Sequence, residues 1–163
     1  MKKKKESDDE WVPQLPPKAP KIKKKAKRKH PSRFTQRKLF EPTRVNVVFS
    51  GDRNCIDVEC IRDLIETQLD PKRHILIQGG CTGVDSIVKE VGEDLGFEVI
   101  TENADWDRYG LAAGPIRNQL MLDRYDPVHV YLFHDNIEYS KGTKNMRNLC
   151  IAGNYNYSIH KTK

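Results

Sequence analysis

At 163 residues, with 37% hydrophobic and 32% charged positions, the chain has room for one core of ordinary domain size plus an appendage. The net charge of +6 is unevenly shared: residues 1–44 carry 16 Lys+Arg against 5 Asp+Glu, a net of +11, and the remaining 119 residues carry 13 against 18, a net of −5. A mildly acidic body argues against general polyanion binding there, so any nucleic-acid affinity is assigned to the tail. No apolar run approaches the ~20 residues of a membrane span, and the charged N-terminus lacks the apolar stretch of a secretory signal. Cys55, Cys60, Cys81 and Cys150 form no CxxC pair and have no zinc-finger spacing to histidine. Reduced thiols, no metal and an intracellular setting are therefore expected.

The first 43 residues fall into three pieces. MKKKKESDDE mixes both signs of charge, WVPQLPPKAP favours extended, polyproline-like conformations, and KIKKKAKRKHPSR is a dense cationic run. With few aliphatic side chains to offset the entropy of folding, residues 1–43 are expected to form a disordered or extended basic tail. KKKAKRKH reads as a nuclear-import signal, a phosphate-backbone clamp, an arm attaching to an acidic assembly, or a solubilising tail. A nucleus or a virion is the location such a tail would suit. Trp11 and Ile22 are its apolar anchors.

Residues 44–163 form the second expected domain. VNVVFSG (45–51) reads as a buried strand, followed by a helix capped by Asp57 with Cys60, Ile61, Leu64, Ile65 and Leu69 on one face. HILIQGG (74–80) is a second buried strand. GVDSIVKEVGEDLG (83–96) is a helix with Val84, Ile87, Val88, Val91 and Leu95 inward, and FEVIT (97–101) is a third strand. A long polar connection leads to a helix begun by Gly114-Pro115, with Met121 in the core, running to about Arg124. VHVYLFH (128–134) as a fourth strand, a helix over 141–153 with Met146, Leu149, Cys150 and Ile151 inward, and a short strand at 155–160, a candidate edge strand, follow. This alternation predicts an α/β fold with a parallel sheet and helices on both faces, and ligands then bind beyond the carboxyl ends of the strands.

Candidate site residues gather at those ends. Ser50-Gly51-Asp52-Arg53 follows the first strand, where Arg53 either clamps an anion or stands in solvent. Gly79-Gly80-Cys81-Thr82-Gly83 lies between the second strand and a helix, as an anion cradle or a purely structural turn. It is neither a Walker A motif nor a GxGxxG fingerprint. Asp85, in the next turn, compensates the helix dipole, supports the loop or holds a ribose hydroxyl. Asp105 and Trp106 precede Gly114, Arg117 and Asn118 in the long connection. Trp106 either stacks on a base or sugar or plugs the core, the plug being favoured, and Arg117 and Asn118 would face the site from one helical turn. Ser140-Lys141-Gly142-Thr143 opens the last helix as a second phosphate cradle or a simple cap.

Taken in order, Ser-Gly-x-Arg, Gly-Gly-x-x-Gly-x-Asp, Ala-Asp-Trp-x-x-x-Gly-x-x-Ala-Gly-Pro-x-Arg-Asn-x-x-Met and Ser-x-Gly-Thr resemble the YspA/YpsA-related branch of the SLOG superfamily over about residues 45–153. That superfamily also holds the LOG phosphoribohydrolases and DNA-processing protein A. The resemblance implies a Rossmann-like three-layer sandwich with a mainly parallel five-stranded sheet and a nucleotide-type small molecule in the groove. It implies no dedicated cofactor, and leaves a homo-oligomer open. Within it, Arg117 matches the arginine of LOG enzymes and Gly142-Thr143 their phosphate loop, while their catalytic glutamate falls on Met146. Their Pro-Gly-Gly is replaced by the region of His134, Asp135, Asn136 and Tyr139. Hydrolysis of a nucleoside monophosphate at its N-glycosidic bond would then need Asp85 or Asp105 as carboxylate beside Arg117. The expected function is nucleotide binding by the body with attachment to nucleic acid or an acidic protein through the tail. A phosphoribohydrolase and a DNA-binding or virion/chromatin-associated protein are the alternatives.

Overall fold

The computed structural model describes residues 43–162. The expectations for the tail lie outside the described residues, Thr43 excepted. Five strands, β1 (Val45–Gly51), β2 (His74–Gln78), β3 (Glu98–Thr101), β4 (His129–Phe133) and β5 (Tyr157–His160), form one sheet in the order β3-β2-β1-β4-β5. Every neighbouring pair is parallel, with Val47 opposite Leu76 and Phe49 opposite Tyr131. The helices are α1 (Val58–Gln68), α2 (Val84–Asp94), α3 (Trp106–Tyr109), α4 (Ala113–Tyr125) and α5 (Lys141–Gly153).

The unbroken apolar runs of β1 and β4 are explained by burial on both faces. Val47, Phe49, Tyr131 and Phe133 point to one side, where they form a core with Ile61, Leu64 and Ile65 of α1 and Val84, Val88 and Val91 of α2. Val48, Val130 and Leu132 point to the other, against Met121 and Leu122 of α4 and Met146 and Cys150 of α5. The result is the three-layer α/β sandwich that the alternation predicts. Phe49 stacks on Tyr131 with ring centroids 5.0 Å apart, which locks the β1–β4 register beneath the site.

Caps fix the helix starts. The Asp57 carboxylate accepts from the Cys60 amide at 3.0 Å and the Ser140 hydroxyl from the Thr143 amide at 3.1 Å. Three local expectations are corrected. Ile151 is 59% exposed, because its position on α5 faces away from the sheet. The connection after β3 is not all loop: it folds into α3 and a 3-10 turn over Gly110–Ala112. Pro115 is the third residue of α4, which begins at Ala113.

Candidate functional site

The carboxyl ends of β1, β2 and β4 open onto a cleft of about 740 Å³, a size suited to a small molecule. Its position follows from the topology. After β1 the chain crosses to α1 on one face, and after β4 it crosses to α5 on the other, so the two connections diverge above adjacent strands and leave a crevice.

Eleven of the residues expected at a site line this cleft: Ser50, Gly51 and Arg53 after β1, Asp85 on α2, Trp106 on α3, Gly114, Arg117 and Asn118 on α4, and Ser140, Gly142 and Thr143 at the start of α5. Gly79, Gly80, Thr82, Gly83 and Asp105 do not line it. Gly80 instead borders a smaller polar cleft of about 390 Å³ at the ends of β2 and β3, whose wall shares Cys81 and Asp85 with the first. Asp105 is exposed, and its carboxylate caps α3 by accepting from the Arg108 amide at 3.1 Å. Thr82 is exposed on the loop.

The glycine-rich loop turns inward on the protein itself. A Cβ at Gly79 would run into the Arg117 guanidinium, whose Nη1 donates to the Gly79 carbonyl. At Gly83, with φ +73°, a Cβ would collide with the backbone of Asp52 and Arg53. Three amides of this region are committed as well: Gly80 N–H donates to the Gln78 side chain, Cys81 N–H to Asp85 Oδ2 at 3.1 Å, and Val84 N–H to the Asp52 carbonyl at 3.1 Å. The close backbone approach that glycine permits is used here for packing.

Arg117 and Asn118 are the fasteners. Arg117 Nε donates to Asn118 Oδ1 at 3.1 Å, and Asn118 Nδ2 donates to the Gly142 carbonyl at 3.3 Å and to Asn145 Oδ1 at 3.0 Å. One turn of α4 thereby ties the loop after β2 to the first turn of α5. Both side chains are buried, at 8% and 3% exposure. Asp85 is buried beside them, with Arg117 Nη1 4.0 Å from its Oδ2. Burial holds its carboxyl above the ordinary range, outweighing the Cys81 amide and the Arg117 charge, which pull the other way.

The start of α5 has the opposite character. The amides of Lys141 and Gly142 meet no backbone acceptor and no side chain among the described residues, and a Cβ at Gly142 would meet open space. Both residues line the cleft. Trp106, expected to favour a core plug, is instead 46% exposed at the cleft mouth, with the Arg53 guanidinium 5.8 Å from its ring centroid. The short α3 holds it there, because that helix buries none of its residues.

Residues 45–109 match the YAcAr family model, described as the YspA, cpYpsA-related SLOG family. The SLOG match bears out the family expected from the motifs and covers β1 through α3. The Arg117-Asn118 pair and the Ser140–Thr143 turn lie beyond the matched residues, although they close the same cleft. Neither a curated protein nor a solved structure gave a match. Met146 is completely buried in the core.

His134 and Tyr139, named in the sequence only as the region replacing a Pro-Gly-Gly, and Leu111, not singled out there at all, line the cleft as well. Placement was the available signal: His134 directly follows β4, and Tyr139 immediately precedes the Ser140 cap. Nδ1 of His134 accepts from the Asn136 amide at 3.0 Å, so the neutral ring carries its proton on Nε2. Among the described residues no group of His, Cys, Asp and Glu is arranged to hold a metal ion.

Proposed function

We propose that the body binds a nucleotide-type small molecule at the β1–β4 crevice, with phosphate at the first turn of α5. The observation that carries this reading is the contrast between two helix starts. The loop before α2 turns its Gly80, Cys81 and Val84 amides onto the protein, whereas the 13-residue α5 begins with Lys141 and Gly142, two cleft-lining residues whose amides meet no acceptor among the described residues. Arg117 then frames the site from behind, by holding the loop after β2 against α4. SLOG membership supports nucleotide-related ligands in general. The test is a thermal-shift series on the full chain with AMP, ADP-ribose, NAD and cyclic nucleotides. A rise in the unfolding temperature with at least one is expected, and none at millimolar ligand would refute the reading.

A second reading, hydrolysis of the N-glycosidic bond of a nucleoside monophosphate, is favoured by one observation: Asp85 is a buried, protonation-prone carboxyl at the cleft wall. Water would add to the sugar carbon and the base would leave with a proton. Asp85→Asn should abolish base release seen by chromatography, while an unmodified protein inert on common monophosphates would sink this reading. For the tail we propose attachment to nucleic acid or an acidic assembly, resting on the net charge of +11 over residues 1–44.

A further inference from the structure

The mouth of the cleft is apolar where its floor is polar. Leu111 and Tyr139 line it at 96% and 85% exposure, beside Trp106. Three large apolar side chains held in water around one opening mark a surface that something covers. The occupant can be read from Trp106. Its ring is capped by the Arg53 guanidinium, a flat cation that makes no hydrogen bond or ion pair with another described residue. Gly114, at the start of α4, lies alongside the far edge of the same ring.

We infer that Trp106 and Arg53 bracket a planar nucleobase, so that a nucleotide lies with its base at α3 and its phosphate at α5. This rests on the nucleotide reading above and adds the ligand's orientation and chemical class. A ring stacked on both faces needs about 7 Å between its neighbours, twice the ~3.5 Å contact distance. Arg53 stands over the ring with its guanidinium carbon 5.8 Å from the indole centroid, so its exposed side chain has to move outward to admit a base. The guanidinium exchanges one aromatic face for another, and Leu111 and Tyr139 cover the edges of the base. A sugar phosphate without a base gains nothing from this bracket, which therefore selects nucleoside phosphates over sugar phosphates and free phosphate.

The chain has two tryptophans, Trp11 and Trp106, so a Trp11→Phe full-length protein reports on Trp106 alone. Titrated with AMP it should show quenched emission, and with ribose 5-phosphate none. By calorimetry, Trp106→Ala should weaken AMP roughly 5- to 150-fold, Trp106→Phe should retain most of the affinity, and ribose 5-phosphate should be indifferent to both. AMP binding with unchanged emission and unchanged affinity in Trp106→Ala would overturn the bracket while leaving the nucleotide reading standing. Absence of binding of AMP, ADP-ribose, NAD and cyclic nucleotides alike by the parent protein would overturn both.

Discussion

Arg117 shows how a side chain can look like a ligand clamp and be a fastener. Three of its nitrogen atoms are turned to the protein, toward the Gly79 and Glu102 carbonyls, Asn118 Oδ1 and the Cys81 thiol. Removing it leaves buried carbonyls and Asp85 without their partner, so Arg117→Ala should destabilise the fold by about 2–4 kcal/mol in urea unfolding. Arg117→Lys should recover only part of this, because an ammonium cannot reach in several directions at once. Asp85 gives a prediction of opposite sign. Its folded-state value is raised above the ordinary 3.8, so the folded protein holds the proton more tightly than the unfolded chain. Stability should therefore fall as pH rises from about that value through the raised one. Asp85→Asn should flatten this decline in urea unfolding measured across the acid range. An unchanged profile would show that the carboxyl is not held in this way. The residue types at the site were legible in the sequence as a set. Their roles were not: Gly79 is glycine because a guanidinium lies over it, and that guanidinium comes from 38 positions away.

Among the elements, those with a long apolar face or a side-chain cap were the most legible. The bounds of β1 and α5 agree with the sequence pattern to the residue, since Ser140 marks where α5 begins. The stretch between β3 and α4 was not legible, because α3 has four residues and buries none of them, leaving no periodicity to read. The edge strand β5 carries its own pH dependence. The Ser158 hydroxyl sits between His129 Nε2 at 2.9 Å and His160 Nε2 at 2.8 Å, joining β4 to β5. Burial lowers both imidazoles below the ordinary 6.5, with the charge of His160 adding to the effect on His129. A histidine kept neutral in the fold contributes stability that is full above its unfolded value and is lost as pH falls through the lowered one. Hydrogen exchange at Tyr157–His160 should thus lose protection, beyond the intrinsic change in exchange rate, between pH 7.5 and 5.5, while β1 in the sheet centre keeps its own. Equal behaviour of the two strands would contradict the link.

On the scale of the whole molecule, the parallel sheet was readable from the alternation of strand and helix patterns, and the SLOG match agrees with the motifs over residues 45–109. What the pattern could not supply was how the amides of two loops that both look like phosphate cradles are divided between bonds to the protein and open positions. That division depends on where amides find acceptors, a tertiary property. The separation of charge makes its own prediction: deletion of residues 1–43 should remove salt-sensitive binding to DNA and leave nucleotide binding intact, as measured by fluorescence anisotropy at two salt concentrations.

The central claim is that the first turn of α5 holds phosphate, and Lys141→Pro tests it most directly. Lys141 is the first residue of α5, and Ser140 before it is extended at ψ 118°, a conformation that tolerates a following proline. The substitution deletes one amide donor and one ammonium while the Ser140 cap stays. Calorimetric titration of AMP into the full chain should show binding that weakens by roughly tenfold or more in Lys141→Pro, with the unfolding midpoint nearly unchanged. Equal affinity in the two proteins, or no binding by the parent, would contradict the account.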